Sequence, residues 1–244
     1  MKILFSPSES KDLNCSLSPF DESSFIFREL FKFRLEALKN YENYIKNATQ
    51  EDLQKLFGVK NPPQEFLQDL KNAPTKYAIE LYTGVSYEFL DYQNLEQKAK
   101  NYILENTLIF SNLFGVIRAC DTLPFYKFKQ GAKLKDFNVE YFYKKHFSKA
   151  LDKFLNEEEV LDLRAEFYDK FYTPKKKVST YKFLKNGKIV SHYAKAYRGI
   201  LLRIAAQNQA LSNKELLAKL PSNLKLKDIK EFKLKEEITL EIVD

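Results

Sequence analysis

The chain has 244 residues, 44% hydrophobic and 30% charged, a balance that excludes a disordered chain and a collagen-like repeat. A chain of this length buries enough surface to fold without disulfides or metal, and it has no apolar run long enough to span a membrane. Its 40 basic and 33 acidic residues give a net charge of +7. The N-terminus does not resemble a secretion signal, and Cys15 and Cys120 are far apart in sequence, so we expect a cytoplasmic protein with no membrane partner.

Hydrophobic spacing and turn residues predict short strands and amphipathic helices in the first half of the chain. In chain order these are a strand over residues 1–5, a polar loop over 6–11, a helix from Ser23 or Ser24 to about Ala48, a helix that starts at a capping box from Thr49 to Asp52 and ends at Phe57 before Gly58, a short helix opened by Pro62 and Pro63, and a helix over 95–106.

The second half of the chain contains the clearest strand and turn signals. In chain order we predict a strand at Thr107–Ser111, a turn over residues 113–116, a helix at Val139–Leu155, a buried strand at Val160–Leu163, a hairpin over 178–193 around Asn186 and Gly187, a helix over 194–210 and an edge strand over 231–243. Strands and helices mix without a regular βαβ rhythm. We therefore predict one α+β domain over residues 1–244, with a mixed sheet and surrounding helices.

The loop after the first predicted strand carries the first candidate site. Ser8 and Lys11 have the spacing of an SxxK motif, in which the amine assists deprotonation of the serine, but the partner motifs SDN and KTG are absent. Lys11 could instead bind an anion, or the loop could be a polar turn with an exposed lysine. The catalytic residues are therefore unknown, and the weak candidates for acid–base roles are Ser6, Glu9, Lys11 and, from another segment, Tyr168.

A glycine turn followed by aromatic and basic residues forms the second candidate. Gly115 lies where a turn exposes backbone N–H groups to a phosphate, and Arg118, Lys127 and Lys133 follow it. Basic residues that alternate with aromatic ones such as Tyr126 supply phosphate contacts and stacking surfaces. In the alternative interpretation, the aromatic residues form the buried face of a strand and the lysines are solvated.

A helix in the last third of the chain forms the third candidate. At helical spacing, Lys195, Arg198 and Gly199 share one face, and Arg203 lies at its edge. Cations near a helix N-terminus oppose the helix dipole, which suggests an anionic ligand, and glycine permits close approach. The alternative is an amphipathic helix with solvated basic residues.

The basic excess is concentrated in one stretch of the chain. Between Gly115 and Arg203 there are 20 basic and 10 acidic residues, whereas the rest of the chain carries a net charge of −3. Lysines greatly outnumber the six arginines, as codon bias in an AT-rich genome would also produce. Both a nucleic-acid-binding surface and a well-solvated surface fit this distribution.

Metal binding has little support in the sequence. His146 and His192 are isolated, there is no CxxC, and the carboxylates of Asp162, Glu166 and Asp169 show no coordination pattern. We therefore predict no metal and no other cofactor.

Five segments, taken in order, resemble the YaaA family of bacterial peroxide stress resistance proteins. They are residues 4–11, 82–91, 110–121, 126–134 and 191–199, and the last is close to the family pattern SFYAKKARG. Where the family carries Asp, Gly, Gly and Pro, this chain has Val85, Phe89, Asn112 and Ala119. Phe167 stands at a glutamate position of the family, which weakens a catalytic role there.

The resemblance implies a single YaaA-like domain with a basic cleft and a helix-hairpin-helix-like element. It also implies DNA binding through phosphates and shape, to duplex or distorted DNA, and protection from peroxide by limiting free iron and iron-driven DNA damage. The predicted DNA contacts are Lys11, Gly115, Arg118, Lys127, Lys133, Lys195, Arg198, Gly199 and Arg203. The leading hypothesis is thus a cytoplasmic DNA-binding protein of the peroxide stress response.

Two other classes of function stay open. An enzyme would use the same basic cleft for a nucleotide or another phosphorylated small molecule. A protein that handles iron directly would need a cluster of His and Glu at metal-binding spacing, which the sequence does not contain. A deep closed pocket would favour a small ligand, whereas an open groove of duplex width would favour DNA. Protein partners are not predicted.

Overall fold

Ten strands form two sheets within the part of the chain that the structure describes. The computed structural model describes residues 1–243, apart from the side chains of Ser191 and His192, so the isolated His192 lies outside it. The strands are β1 (Lys2–Phe5), β2 (Thr75–Tyr77), β3 (Thr107–Ser111), β4 (Gly115–Arg118), β5 (Thr122–Pro124), β6 (Val160–Leu163), β7 (Val178–Lys185), β8 (Lys188–Ile189), β9 (Leu224–Phe232) and β10 (Lys235–Ile242). β2 and β5 pair with each other, and the other eight strands form one mixed sheet.

The main sheet places β1 between two parallel neighbours. Its strand order is β4-β3-β1-β6-β7-β10-β9, and β8 pairs with β7 off this path. β1 is parallel to both β3 and β6, and β7 is parallel to both β6 and β10. β4 and β9 run antiparallel to their neighbours at the two edges. This arrangement confirms the predicted α+β fold with a mixed sheet.

The last strand of the chain is interior, so the predicted edge position was wrong. β10 pairs with β7 on one side and with β9 on the other, which leaves β9 at the edge. Ile238, Leu240 and Ile242 are buried on one face of β10 and alternate with more exposed residues, which produced the edge-like pattern. β9 is exposed at every residue after Leu224, so its polar sequence gave no strand signal.

Eight α-helices accompany the sheets within the described residues. They are α1 (Phe31–Asn47), α2 (Gln50–Phe57), α3 (Ala78–Leu81), α4 (Val85–Leu90), α5 (Gln97–Asn106), α6 (Val139–Leu155), α7 (Ser191–Gln207) and α8 (Asn213–Leu217). Among residues 1–243, none of these helices combines the length and apolar character that crossing a membrane requires.

Local signals placed several elements correctly. The side chain of Thr49 accepts from the N–H of Asp52 while Asp52 accepts from the N–H of Thr49, so the predicted capping box starts α2. Gly58 ends α2 in the left-handed conformation, with φ 69°. Asn186 and Gly187 both have positive φ, as a type I′ hairpin turn requires. The bounds of α6 and β6 are those predicted.

Two helix starts differ from the prediction. α1 begins at Phe31 because Asp21, rather than Ser23 or Ser24, caps a separate 3₁₀ turn at Glu22–Ser24. α7 begins at Ser191 and ends at Gln207, three residues earlier at each end than the pattern indicated. The helix-hairpin-helix-like element and the basic cleft implied by the family resemblance are not shown by the described residues, and they stay predictions.

Candidate site at the carboxyl edge of the parallel strands

The strands that follow β1 in the sequence are added on opposite sides of it, so the direction of strand order reverses at β1. After β1 the chain adds β3 on one side, and it later adds β6 on the other side. The loop over residues 6–11 leaves β1 at the carboxyl edge, where the loops after β3 and β6 also begin. Ligands of open sheets bind in the crevice at such a reversal point, so the fold gives this loop the position of a candidate site.

Lys11 is the last residue of this loop, and its amine lies over the rings of two buried tyrosines. Its Nζ lies 4.1 Å from the ring centroid of Tyr126 and 5.2 Å from that of Tyr82. The half-buried amine donates to the carbonyl oxygen of Ser8 at 3.0 Å, and within the described residues it forms no ion pair with a carboxylate. The lysine is therefore neither a solvated surface charge nor part of a salt bridge.

A second amine lies beside Lys11. Lys127 Nζ donates to the carbonyl oxygen of Glu9 at 3.2 Å, and Lys11 Nζ lies 3.5 Å from the same oxygen. Burial, with a smaller contribution from the Lys127 charge, lowers the pKa of Lys11 to about 7, although the Glu9 carboxylate acts in the opposite direction. Near neutral pH, about half of the Lys11 amines carry no proton.

A chain of buried hydroxyl groups runs beneath the amine. The phenol oxygens of Tyr82 and Tyr126 are 2.8 Å apart, and Tyr126 Oη lies 2.7 Å from Ser111 Oγ at the end of β3. Burial raises the pKa of Tyr126 to about 12, so this phenol is neutral at physiological pH. Tyr126 and Phe128 are buried, as the alternative interpretation expects, which removes Tyr126 as a surface for base stacking. That interpretation was wrong in two respects, because residues 125–129 do not form a strand and Lys127 bonds to Glu9 instead of being simply solvated.

The four weak catalytic candidates come together around this loop. Ser6 Oγ accepts from the N–H of Ala165 at 2.8 Å, which ties the loop after β1 to the loop after β6. Glu9 Oε1 accepts from the N–H of Gln130 at 3.0 Å, and Tyr168 Oη lies 3.4 Å from Gln130 Oε1. Ser6, Glu9 and Tyr168 are thus linked to the loop that positions Lys11, although a catalytic role for any of them stays a prediction.

The SxxK interpretation does not fit the geometry. Lys11 Nζ donates to the carbonyl oxygen of Ser8 rather than to its hydroxyl. Ser8 Oγ instead accepts from the N–H of Ser10 at 3.2 Å, as in a local turn. The lysine is therefore not placed to remove a proton from Ser8, and its amine is available for another role.

Arg198 lines a small pocket next to the loop after β6. The pocket has a volume of about 120 Å³, and its other charged residues are Asp162, Arg164, Glu166, Asp169, Lys182, Lys235 and Glu237. Lys182 and Lys235 both pair with Glu237, and Asp162 and Asp169 both pair with Arg164. Burial lowers the pKa of Arg198, and the Asp162 and Glu166 carboxylates oppose that effect. Among the described residues, Arg198 has no hydrogen-bond partner.

The carboxylates near Tyr168 therefore have a structural role. Asp162 Oδ2 lies 2.7 Å from Arg164 Nη2, and Asp169 Oδ1 lies 3.3 Å from the same nitrogen. The buried guanidinium also donates to the carbonyl oxygens of Tyr168 and Tyr172. Among the described side chains, which do not include that of His192, no three His, Cys, Asp or Glu residues are grouped as metal ligands.

Arg118 and Arg203, two of the arginines predicted to bind phosphate, lie away from the loop of Lys11, and each forms an ion pair with an aspartate. Arg118 Nε donates to Asp121 Oδ1 at 2.7 Å, and Arg118 pairs with Leu108 near the start of β3, away from the carboxyl edge. Arg203 Nη1 donates to Asp91 Oδ2 at 3.0 Å, at the C-terminal end of α4. Both guanidinium groups retain partial exposure, so phosphate binding by them stays a prediction.

Gly115 and Gly199, the two glycines predicted to contact DNA, both pack closely against neighbouring elements, and their contact with DNA stays a prediction. A Cβ on Gly199 would lie 2.0 Å from the carbonyl oxygen of Ser86. The space beside the glycine is therefore occupied by the backbone of α4. A Cβ on Gly115 would lie 2.4 Å from the Tyr143 ring, and Gly115 has φ 69°. Lys195, in contrast, is exposed on α7.

A broad depression that we call the lysine groove lies beyond Gln130. It consists of two adjoining hollows of about 1080 and 520 Å³ that share the wall from Gly131 to Phe137. The lysines that line it are Lys55, Lys133, Lys135, Lys144 and Lys170, and the acidic residues are Asp52, Asp136 and Glu140. Of the predicted DNA contacts, Lys133 is the one placed in this groove.

Sequence reasoning missed the tyrosines that surround Lys11. Tyr82 and Tyr126 are 44 positions apart, and neither follows a motif that signals contact with a lysine. It also missed Arg164, whose side chain is 1% exposed, because a buried arginine has no spacing signature. The excess of aromatic residues and the place of Tyr82 and Tyr126 at the start of two family segments were available signals, but neither specified which rings would meet.

Comparison with known proteins agrees with the family resemblance. A family model described as peroxide stress protein YaaA matches residues 1–230. An uncharacterized protein of Campylobacter jejuni is 68% identical over the whole length of both chains. A UPF0246 protein of Corynebacterium glutamicum is 32% identical over 88% of this chain and 87% of its own, and one of Fusobacterium nucleatum is 28% identical over 89% and 90%. Because the family match covers residues 1–230, which include every strand of the main sheet except β10 and the end of β9, as well as the loop of Lys11, this chain belongs to the family of the peroxide stress protein YaaA.

Proposed function

We propose that this chain is a cytoplasmic DNA-binding protein of the peroxide stress response, which contacts DNA mainly through phosphates and shape and limits iron-driven damage to it. The observation that carries the proposal is the lysine groove. Five lysines and three acidic residues line it, so its charge suits a polyanion. The family supports the stress role, and the groove supports the binding mode.

The form of the groove favours an extended ligand. Its two hollows of about 1080 and 520 Å³ adjoin each other, whereas the pocket at Arg198 has about 120 Å³. Asn40, Asn43, Asn47 and Asn138 add neutral amide donors to its walls. Lysines and amides of this kind bind the phosphates of a nucleic acid without selecting a base sequence.

The groove leads toward the carboxyl edge of the parallel strands. Gln130 bonds to Glu9 in the loop of Lys11, and Gly131, the next residue, lines both hollows. A strand of nucleic acid in the groove would therefore reach the amines of Lys11 and Lys127 at its end. This continuity supports a single binding surface rather than unrelated charged patches.

Binding to duplex, bubble and four-way-junction DNA across a salt series tests the proposal. If all five groove lysines contact phosphates, the slope of log K against log salt concentration is about −4.5. The variant Lys133→Ala/Lys135→Ala should reduce the steepness of that slope by about 2, while Lys214→Ala on α8 should leave it unchanged. Absence of binding at about 50 mM salt, or equal slopes for all three proteins, contradicts the proposal.

A second candidate function is an enzyme that acts on a nucleotide or another phosphorylated small molecule. The specific observation in its favour is the pocket at Arg198, whose guanidinium has no hydrogen-bond partner among the described residues. Thermal unfolding with nucleotides and sugar phosphates tests it. A ligand that raises the unfolding temperature of the parent protein but not of Arg198→Ala supports it, and no shift with any ligand counts against it.

A further inference from the structure

We propose that Lys11 is a nucleophile whose amine forms an imine with an aldehyde carried close to a phosphate group. The inference goes beyond DNA binding because it assigns covalent chemistry to one atom, Lys11 Nζ. It requires neither the lysine groove nor a duplex, since a small phosphorylated aldehyde would suffice. Its failure can therefore be distinguished from failure of the proposed DNA binding.

The Lys11 amine lies where the fold places ligand sites. Lys11 ends the loop that leaves β1 at the point where the strand order reverses, where open sheets bind ligands. The side chain is half-buried rather than sealed in the core, and one of its two carbonyl contacts, with Glu9, is at the surface. The amine thus combines access to a ligand with a largely apolar surrounding.

Two tyrosine rings, two carbonyl oxygens and two charged side chains surround the Lys11 amine. The rings of Tyr82 and Tyr126 lie on one side, and the carbonyl oxygens of Ser8 and Glu9 accept from Nζ. The charged groups that act on it are Lys127, which disfavours its protonation, and Glu9, which favours it. The Glu9 carboxylate, however, accepts a hydrogen bond from Gln130 and forms no ion pair with Lys11.

These surroundings favour the unprotonated form of the Lys11 amine. With a pKa of about 7, Lys11 has roughly a thousand times the free-amine fraction of an exposed lysine at neutral pH. An apolar environment and a neighbouring cation are the two devices by which proteins make a lysine nucleophilic. Both are present at this one lysine.

The reaction balances without an oxidant or reductant. The amine lone pair attacks the carbonyl carbon, and the π electrons of the C=O bond move to oxygen, which takes up a proton. The nitrogen loses one proton as the oxygen gains one, which gives the neutral carbinolamine. Its hydroxyl takes up a further proton and leaves as water while the nitrogen lone pair forms the C=N bond, and the iminium nitrogen can then return a proton to the donor, so that amine and aldehyde give imine and water. The ammonium group of Lys127 beside Lys11 is a suitable proton donor to the leaving oxygen.

The charge around Lys11 selects the class of aldehyde. Lys127 adjoins the amine, and the lysine groove begins at Gly131, so a carbonyl compound with a nearby phosphate would be favoured over a neutral one. A free sugar phosphate and an aldehydic abasic sugar within DNA share this chemistry. The experiment separates these two sources.

Reductive trapping with cyanoborohydride, which converts an imine to a stable secondary amine, tests the proposal. The parent protein is incubated at pH 7 with glyceraldehyde 3-phosphate, with unphosphorylated glyceraldehyde, or with a duplex that contains one abasic site. Peptide mass mapping then locates the adduct among the 34 lysines. We expect Lys11 to be labelled at least about tenfold faster than the median lysine, and faster with the phosphorylated probe.

Variants and a pH series complete the test. Lys11→Met should abolish the fast adduct, Lys127→Met should slow it at pH 7 by raising the pKa of Lys11, and Lys214→Met should have no effect. Labelling of Lys11 should rise around pH 7, whereas that of exposed lysines should rise only toward pH 10. Adducts with the small probe, the abasic duplex or both support the proposal and identify the source of the aldehyde. The proposal is overturned if glyceraldehyde 3-phosphate and the abasic duplex both label the lysines evenly. That outcome is measured on the parent protein alone, so it does not depend on whether a variant folds.

Discussion

A Cβ atom on Gly199 would lie 2.0 Å from the carbonyl oxygen of Ser86. The glycine of α7 therefore allows α4 to pack against it backbone to backbone, and Ser86 Oγ donates to the carbonyl oxygen of Lys195 one turn earlier. This contact joins two segments of the family pattern, residues 82–91 and 191–199. It holds the exposed Lys195 and the pocket-lining Arg198 in a fixed relation to the rest of the protein.

Gly199→Ala should destabilise the protein by about 3 kcal/mol, at the upper end of the cost of overpacking, because the added methyl group meets backbone that cannot rotate away. Urea unfolding measures the change in the free energy of unfolding. Lys195→Ala, an exposed position on the same helix, is the control and should change stability by less than about 0.5 kcal/mol. Equal stability of the two variants would show that α4 and α7 are not in this contact.

Lys11→Met should stabilise the protein most at low pH. The folded-state pKa of Lys11 is lowered to about 7 from 10.5, so the unfolded chain binds more protons between those values. The destabilising effect of Lys11 is therefore fully present below pH 7 and disappears as the pH rises toward 10.5.

The difference in unfolding temperature between Lys11→Met and the parent protein should therefore be largest below pH 7 and decline steadily toward pH 10.5. Differential scanning calorimetry at five or six pH values measures it. Lys214→Met, at an exposed position, provides the control for nonspecific charge effects. A difference that does not vary with pH would mean that Lys11 titrates as an ordinary surface lysine.

Arg164→Met should destabilise the protein by about 3–5 kcal/mol, because it leaves the Asp162 carboxylate buried without its cation. It also removes the donors to the carbonyl oxygens of Tyr168 and Tyr172. The double variant Arg164→Met/Asp162→Asn should recover part of the loss, since it no longer leaves an uncompensated charge. Chemical denaturation of the three proteins measures both effects, and a single variant as stable as the parent would contradict the prediction.

Tyr126→Phe should cost about 1–3 kcal/mol, because it leaves Tyr82 and Ser111 without the hydroxyl that connects them. The ring beneath Lys11 is retained, so the trapping reaction at Lys11 should persist in this variant. Tyr141→Phe, at a side chain exposed to 65%, serves as the control and should be neutral. No loss of stability in Tyr126→Phe would show that the buried hydroxyl chain contributes nothing to folding.

The sequence by itself determined the elements whose signals are local. The capping box of α2 lies within four residues, the type I′ turn needs only Asn186 and Gly187, and α6 follows from the spacing of its apolar residues. The net charge and its concentration between Gly115 and Arg203 were equally evident. The family resemblance also came from short segments, and the family match over residues 1–230 confirmed it.

Only the tertiary structure decided which of the candidate residues meet. Lys11 is over Tyr126 because the sheet places β1 beside β3, and Gly199 serves packing because α4 lies against α7. Arg118 and Arg203 were as plausible as Lys11 in sequence, yet each pairs with a carboxylate away from the loop of Lys11. Such contacts join residues far apart in the chain, and they depend on strand order and helix packing rather than on the preferences of neighbouring residues.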